Sequence, residues 1–288
     1  MGIINSTKLV PVYYINMDFK DKTVLITGGA SGIGKIMGRK VLERGAAHLV
    51  IWDLNPEGLQ QTESAFSSLG SEVTGIVMDL SDVKQIQWAA AQTRSVAGVP
   101  HVIINNAGIV VGKMFHEHSH DDISKSMKIN ADAPMHVTLE FLPEMLRRNS
   151  GAVCTIASSA GLISNTKMSV YAASKWAATG WSDSLRLEMQ QLKKDIAVTT
   201  VMPFYISTGM FDGVKSRVLP VLEPEKASER IICAIEKKTK LLAMPMPYWF
   251  IRLSQGLLPL PVFDWVMRDV FGIYDTMKEF RGRKGDGL

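Results

Sequence analysis

The stretch TVLITGGASGIG, residues 23–34, decides the fold of this chain. A short β-branched run leads directly into a glycine-rich loop, and a helical pattern begins near Ile33. Gly28, Gly32 and Gly34 form the pattern T-G-x-x-x-G-x-G. Glycine is needed where a backbone turns tightly against a pyrophosphate, and the first N–H groups of a helix attract that anion. The alternative interpretation is a tight turn that binds no ligand.

Beyond this stretch, short apolar runs alternate with longer helical ones. Strands are predicted at 23–27, 48–53, 72–79, 101–108, 151–159 and 196–203. Continuous apolar strands between helices indicate a parallel sheet covered on both faces. We therefore predict an α/β fold, a doubly wound parallel Rossmann-type sheet of about seven strands with helices on both faces.

One domain with an extension is expected. The predicted boundaries are an N-terminal segment at 1–19, a Rossmann-type catalytic domain at 20–245, and an apolar helical C-terminal extension with a basic tail at 246–288. Within the domain, a long helical region is predicted from Asp122 to Arg148, in one or two pieces.

Asp53 ends the second predicted strand, 19 residues after Gly34. A carboxylate at this point accepts both ribose hydroxyls of NAD and repels the 2′-phosphate of NADP. We therefore expect NAD in preference to NADP. Asp79, at the end of the third strand, has two interpretations: an acceptor for the adenine amino group, or a helix-capping or surface aspartate.

Tyr171 and Lys175 are one helical turn apart in the segment SVYAASKWAATG, residues 169–180. Taken alone, this spacing is typical of a surface pair on an amphipathic helix. The other interpretation is a phenol held beside an ammonium for proton transfer. A free phenol has a pKa of about 10, and a nearby cation favours the phenolate, so the pair suits general acid–base chemistry.

These residues, together with NNAG at 105–108, resemble the short-chain dehydrogenase/reductase family in its classical form. The resemblance covers about residues 20–210 and rests on five motifs in the family's order. It implies hydride transfer between a nicotinamide and an alcohol or carbonyl carbon. It also implies a catalytic serine at Ser158, with its neighbour Ser159 as the competing candidate, and an active-site asparagine at Asn130 that holds a water linking Lys175 to solvent.

The catalytic set implied by the resemblance is Asn130, Ser158, Tyr171 and Lys175. Ser158 would donate to the substrate oxygen, and Lys175 would also hold the nicotinamide ribose. Asn105 would support the sheet. The predicted cofactor-binding residues lie at the ends of strands and in the loops that follow. They are Gly28, Ser31, Gly32, Ile33, Gly34, Asp53, Asp79, Leu80, Asn106, Ala107, Gly108, Tyr171, Lys175, Pro203, Ile206 and Thr208.

One position departs from the family pattern. MPFYISTGMF, residues 202–211, has Phe204 where the family commonly has glycine. The sequences of this segment and of LEPEKASERIICAI resemble those of one branch of the family, which holds the retinol dehydrogenases and the hydroxysteroid dehydrogenases associated with lipid droplets. A lipophilic substrate is therefore expected, of steroid, retinoid or fatty-alcohol type. Met210, Phe211 and Trp176 are the residues we expect in its pocket.

The segment 241–280 is rich in large apolar residues. Val262, Phe263, Val266, Met267 and Val270 form a stripe at helical spacing, for which three roles remain open. It packs on the domain or on a partner subunit, it covers the substrate, or it contacts a membrane peripherally. A homodimer or homotetramer is expected from the family.

Composition excludes several classes of function. The net charge is +4 without a dense basic patch, so no nucleic-acid partner is expected. Two cysteines without metal-ligand spacing, and no run of 18 apolar residues, fit a cytoplasmic protein. HEHSHDD, residues 116–122, is interpreted as a solvated loop and not as a metal site. Two other functions remain open, an NADPH-dependent ketoreductase of biosynthesis and a non-catalytic nucleotide-binding scaffold.

Overall fold

A computed structural model describes residues 16–245 and 248–282. Its strands are β1 (Thr23–Thr27), β2 (His48–Asp53), β3 (Glu72–Val77), β4 (Val102–Asn105), β5 (Gly151–Ile156), β6 (Ile196–Pro203) and β7 (Leu241–Met244). They form one central parallel sheet in the order β3-β2-β1-β4-β5-β6-β7. The predicted doubly wound parallel sheet is confirmed.

Helices cover both faces of this sheet, as the continuous apolar strands predicted. Residues on one face of the strands pack against α1, α2 and α7, and those on the other face pack against α3, α5 and α6. The helices are α1 (Gly32–Glu43), α2 (Pro56–Phe66), α3 (Val83–Ala97), α4 (His120–Met127), α5 (Ala133–Arg148), α6 (Ser169–Gln191), α7 (Pro224–Glu236), α8 (Tyr248–Leu257) and α9 (Leu260–Trp265).

Three strands end earlier than predicted. β4 stops at Asn105 instead of residue 108 because the Asn106 side chain turns to the neighbouring loop, where its Nδ2 donates to the carbonyl oxygens of Thr27 and Gly28, at 3.0 Å each. β3 and β5 likewise end at Val77 and Ile156, and the residues beyond them form loops at the same edge of the sheet.

The predicted helical region 122–148 consists of two helices. Ser119 caps α4 by accepting from the Asp122 N–H at 3.0 Å, and a π-helical turn over Lys128–Asp132 joins α4 to α5. A π-helical turn widens the backbone by one residue and is frequent at functional sites. Here it contains Asn130.

The predicted C-terminal stripe is divided between the core and the surface. Phe263 and Met267 are buried in the same apolar cluster as Tyr171, whereas Val262 and Val270 are exposed. The stripe is divided because α9 is short and a π-helical turn at Val266–Val270 follows it, so regular α-helical spacing does not continue through the segment.

Parts of the expected terminal segments, residues 1–15 and the tail from 283 to 288, lie outside the described residues. Cys154 in β5 and Cys233 in α7 are free thiols. Within the described ranges, no helix combines the length and the apolar character needed to cross a membrane.

Candidate active site

A cleft with a cavity volume of about 250 Å³ opens at the carboxyl ends of β1, β4, β5 and β6. Between β1 and β4 the order in which the chain adds strands to the sheet reverses. Ligands of open parallel sheets bind at such a point. All the predicted site residues except Gly34 and Asn130 line it. They are Gly28, Ser31, Gly32, Ile33, Asp53, Asp79, Leu80, Asn106, Ala107, Gly108, Ser158, Tyr171, Lys175, Pro203, Ile206 and Thr208.

The glycine loop has room for a ligand only because it lacks side chains. Gly28 has a φ of +66°, and a Cβ there would lie 2.9 Å from Cα of Ala107. A Cβ on Gly34 would lie 2.2 Å from the carbonyl oxygen of Gly28. The first turn of α1 contains no acidic residue, so its N–H groups keep their attraction for an anion. The loop therefore fits a pyrophosphate.

Asp53 stands beside this loop at the end of β2. Its Oδ2 accepts from the N–H of Ala30 and its Oδ1 from the N–H of Asn55, at 3.0 and 3.1 Å. The carboxylate thus holds the glycine loop and the start of α2 while it faces the cleft. Asp79 also faces the cleft, and its Oδ1 accepts from the Ser81 N–H at 2.8 Å, which is the contact of a turn-forming aspartate.

Asn130 lies beneath the cleft, with 1% of its surface exposed. Its Oδ1 accepts from the N–H of Ile109 at 2.8 Å, while its Nδ2 donates to the Ile109 carbonyl at 2.9 Å and to the Ser174 hydroxyl at 3.1 Å. The side chain therefore fixes the loop after β4 next to α6. The water that we expect between Asn130 and Lys175 stays a prediction.

Tyr171, Lys175 and Ser158 meet at the inner end of the cleft. Nζ of Lys175 lies 5.8 Å from the centre of the Tyr171 ring and donates to the Ile156 carbonyl at 2.9 Å. Burial lowers the pKa of Lys175 to about 8. Burial also raises the pKa of Tyr171 to about 12, and a hydrogen bond from the Ser158 hydroxyl partly offsets this rise.

The pKa of Tyr171 is therefore shifted upward, whereas the sequence led us to expect a downward shift. Desolvation is the largest cause, because the helix places both Tyr171 and Lys175 in the core instead of on the surface. The surface-pair interpretation is therefore wrong, and the tyrosine is a neutral phenol in this structure at neutral pH.

Although Ser158 and Ser159 are neighbours in the chain, their side chains differ in whether they border the cleft. Ser158 lines the cleft, and its Oγ accepts from the Ala160 N–H at 3.1 Å. Ser159 lines two smaller cavities next to the cleft and does not line the cleft itself.

Sequence reasoning missed much of the apolar wall. Met210 and Phe211 line the cleft as expected, but Trp176 is 47% exposed and does not, because it lies on the outer side of α6. Its proposed place in the pocket was wrong. Of the apolar side chains that were missed, Leu54, Met78, Ala157 and Phe204 follow directly on strands, which is the signal that points to them. The others are Ile156 at the end of β5, Ile109 in the loop after β4, and Ile129 in the π-helical turn.

The C-terminal segment covers the loops beside the cleft. The Thr276 and Tyr205 hydroxyls share a hydrogen bond of 2.9 Å, and the Thr276 hydroxyl also accepts a hydrogen bond from Nδ2 of Asn165 at 2.7 Å. The Phe280 ring rests on Gly112, where a Cβ would come within 2.2 Å of the ring. The segment is thus fastened to three different loops around the site.

The histidine-rich run forms the entry to α4. His116 lies in a single 3₁₀ turn, Phe115–Glu117, and Nδ1 of His118 is 3.0 Å from the Met114 carbonyl. Over the described part of the chain, no three histidine, cysteine or acidic side chains are grouped so that they could hold a metal ion.

Comparison with known proteins identifies the family. The family model for short chain dehydrogenases matches residues 22–218. Epidermal retinol dehydrogenase 2 of Mus musculus is 36% identical over 266 residues, which cover 91% of this chain and 85% of the relative. Estradiol 17-beta-dehydrogenase 11 of Homo sapiens is 30% identical over 237 residues, 82% of this chain and 79% of the relative.

Solved structures agree on the fold. A short chain dehydrogenase/reductase from Burkholderia phymatum, solved in complex with NAD, has a TM-score of 0.76 at 24% identity and covers 83% of this chain and 95% of its own. Others with this fold were solved with NADP or NADPH. The chain belongs to the short-chain dehydrogenase/reductase family, in the branch of the retinol and estradiol dehydrogenases, and is an oxidoreductase that acts on a CH–OH group with NAD(P).

Proposed function

We propose that this protein is an NAD-dependent dehydrogenase or reductase of a lipophilic primary or secondary alcohol or of the matching carbonyl, with Tyr171 as general acid–base. One observation carries the proposal. The Tyr171 phenol and the Ser158 hydroxyl share a single cleft with the glycine loop and Asp53. The similarity to dehydrogenases named for retinol and estradiol supports a lipophilic substrate.

The chain's own residues fit a dinucleotide in this cleft. The loop at Gly28 and Gly32 and the N-terminus of α1 would hold the pyrophosphate. Asp53 would accept the ribose hydroxyls and exclude a 2′-phosphate, which favours NAD. When bound, the cofactor supplies hydride transfer and, in its oxidised form, a cationic ring.

Tyr171 and Ser158 would act on the substrate oxygen. As a neutral phenol, Tyr171 is in the form that donates a proton to an oxygen gaining negative charge during carbonyl reduction. Ser158 would donate to the same oxygen and stabilise its charge. For alcohol oxidation the phenol must lose its proton, which a cation near the ring promotes. Lys175 is the cation that the chain itself provides.

The wall of the cleft next to Tyr171 is apolar. Phe204, Met210 and Phe211 line the cleft close to Tyr171, and the rings of Phe211 and Tyr171 meet edge-on at 6.0 Å. A substrate with a hydrocarbon body would be desolvated here at about 25 cal/mol for each Å² of apolar surface buried. The wall therefore favours a lipophilic alcohol over a sugar or a hydroxy acid.

The test is turnover with NAD across a panel of aliphatic, retinoid, steroid and sugar alcohols, monitored by the absorbance of the reduced nicotinamide. Turnover of at least one lipophilic alcohol, with sugar alcohols inactive, is the expected result. Tight cofactor binding without turnover on any substrate would overturn the proposal in favour of a nucleotide-binding scaffold.

A peripheral contact of the C-terminal helices with a lipid surface is part of this proposal. α8 carries exposed Phe250, Leu253 and Leu257 on its outer side and buried Ile251 on the inner side. Trp265 in α9 is 54% exposed. α8 contains an arginine and no acidic residue, so it suits an anionic interface. α8 follows the carboxyl end of β7, and the cleft opens at the carboxyl ends of the neighbouring strands.

Flotation with anionic and neutral vesicles tests this contact. The double variant Leu253→Ser with Leu257→Ser is expected to reduce binding to anionic vesicles. The matched control is Leu139→Ser with Leu187→Ser, which alters two exposed leucines on α5 and α6. If the first pair instead dissociates an oligomer and leaves vesicle binding unchanged, α8 contacts a second copy. The expected homodimer or homotetramer stays a prediction, for which light scattering is the measurement.

A further inference from the structure

Phe204 separates the catalytic cleft from two small cavities. The cleft has a volume of about 250 Å³, and each small cavity has a volume of about 20 Å³. Of the described residues, Phe204 is the one that lines all three. It is 8% exposed, and its ring lies against Tyr205, with 4.5 Å between the ring centres.

The cleft, a nearer cavity and a farther cavity lie in a row that leads away from Tyr171 and Ser158, and we call this row the file. The nearer cavity shares Ser158 and Phe211 with the cleft. The farther cavity shares Ser159, Ile163 and Ile273 with the nearer one. The farther cavity ends against Ile251, on the inner side of α8. The file therefore runs from the catalytic serine to the underside of the C-terminal helices.

The walls of the farther cavity suit hydrocarbon, and polar groups of the nearer cavity are already paired with one another. The farther cavity is lined by aliphatic side chains, with Ser159 and Phe204 the exceptions among the described residues. In the nearer cavity, Nδ2 of Asn165 already donates to Tyr205 and Thr276. A polar ligand would find few unpaired partners, and burying its groups would be unfavourable.

The size of the cavities selects the shape of the hydrocarbon. Each holds little more than a water molecule or a methylene group. A flexible chain can pass through such a file one methylene at a time, whereas a fused-ring body cannot. Phe204 fills the space where the chain would have to pass.

We infer that a straight hydrocarbon chain on the carbinol carbon occupies the cleft up to Phe204, and that Phe204 sets the longest chain the enzyme accepts. Phe204 is thus a specificity-determining residue for a chain-bearing alcohol. This inference rests on the proposed function. Removing the Phe204 ring joins the cleft to both cavities, and each further methylene that is buried raises kcat/KM about fourfold.

The experiment is a chain-length profile with NAD and a homologous series of straight-chain primary alcohols. For each enzyme, kcat/KM of the long alcohols is divided by that of the shortest active one. In the unmodified protein this ratio rises with chain length and then levels off. Phe204→Ala moves the levelling point to longer chains, by about one methylene for each cavity opened, with about a fourfold gain for each.

Two further variants keep the test interpretable. Phe263→Ala removes the same ring from the same apolar cluster, at 4% exposure, but borders none of the three spaces. It is expected to lower stability without moving the profile. Leu219→Trp fills the farther cavity and, combined with Phe204→Ala, is expected to remove part of the gain. Cofactor binding, measured by quenching of protein fluorescence, reports whether each variant is folded.

The outcomes separate this inference from the proposed function. Turnover of short alcohols with an identical profile in both the unmodified and Phe204→Ala enzymes overturns the inference and leaves the function standing. A gain for steroid alcohols but not for chains also overturns it. A shift of equal size in Phe263→Ala would show that general loosening, and not Phe204, sets chain length.

Discussion

Tyr171 and Lys175 lie one helical turn apart in the core, with Nζ 5.8 Å from the ring centre, and burial drives both toward their neutral forms. The pKa of the phenol is about 12 and that of the amine is about 8. The protein thus buries an ionisable pair next to a cleft, which is unfavourable for stability and is typical of functional sites.

Replacing Lys175 by methionine should change how stability depends on pH. Below about pH 8 the folded protein buries a charged amine, and this cost is present in full. Between about pH 8 and about pH 10.5 the unfolded chain binds more protons at this site than the native state does, so stability rises with pH. Above that range the contribution of the amine has gone.

The measurement is urea unfolding of the cofactor-free protein and of Lys175→Met at several pH values. The free energy of unfolding of the variant, relative to that of the unmodified protein, is expected to be highest near neutral pH. This difference is expected to fall as pH rises to about 10. A difference that did not change with pH would contradict a buried, depressed amine.

Tyr171→Phe should abolish most turnover while leaving cofactor affinity nearly unchanged. Removing a general acid–base group costs about 10²- to 10⁴-fold in rate. The control is Tyr205→Phe, which removes another buried phenol whose hydroxyl contacts Thr276 and Asn165. That control is expected to lower stability by about 1 kcal/mol without a comparable loss of rate. Steady-state kinetics and cofactor titration measure both effects, and an active Tyr171→Phe enzyme would refute the mechanism.

Asp53→Asn should shift the preference between NADH and NADPH. The amide has one oxygen, so it can keep the bond to the N–H of either Ala30 or Asn55 but not both, and the charge that repels a 2′-phosphate is lost. We expect the ratio of the two dissociation constants to move about 10- to 100-fold toward NADPH. Fluorescence titration of both cofactors measures it. Tighter binding of NADPH than of NADH by the unmodified protein would contradict the proposed preference.

Gly34→Ala should weaken cofactor binding, because its methyl group would lie 2.2 Å from the Gly28 carbonyl oxygen and push the loop out of place. A matched control exists in α6, where a Cβ on Gly180 meets nothing within 4 Å. Gly180→Ala is expected to be neutral or to stabilise by about 0.5–1 kcal/mol. Thermal melts with and without cofactor compare the two. Equal cofactor-induced shifts in both variants would show that the loop does not bind the dinucleotide.

The local sequence determined the frame of this protein and the kinds of residue in its cleft. The parallel sheet follows from apolar strands between amphipathic helices, and the glycine loop follows from the spacing of Gly28, Gly32 and Gly34 between a strand and a helix. Such features depend on a few neighbouring residues or on periodicity, so they can be read along the chain.

The tertiary structure decided the electrostatics and the shape of the site. Tyr171 and Lys175 have the same spacing whether exposed or buried, and only packing by α6 into the core reverses the expected pKa shift of the phenol. Trp176 and Phe204 are both large apolar residues near the site in sequence, yet one faces outward and the other divides three cavities. Desolvation and cavity shape depend on residues far apart in the chain, because they arise only where several elements pack together.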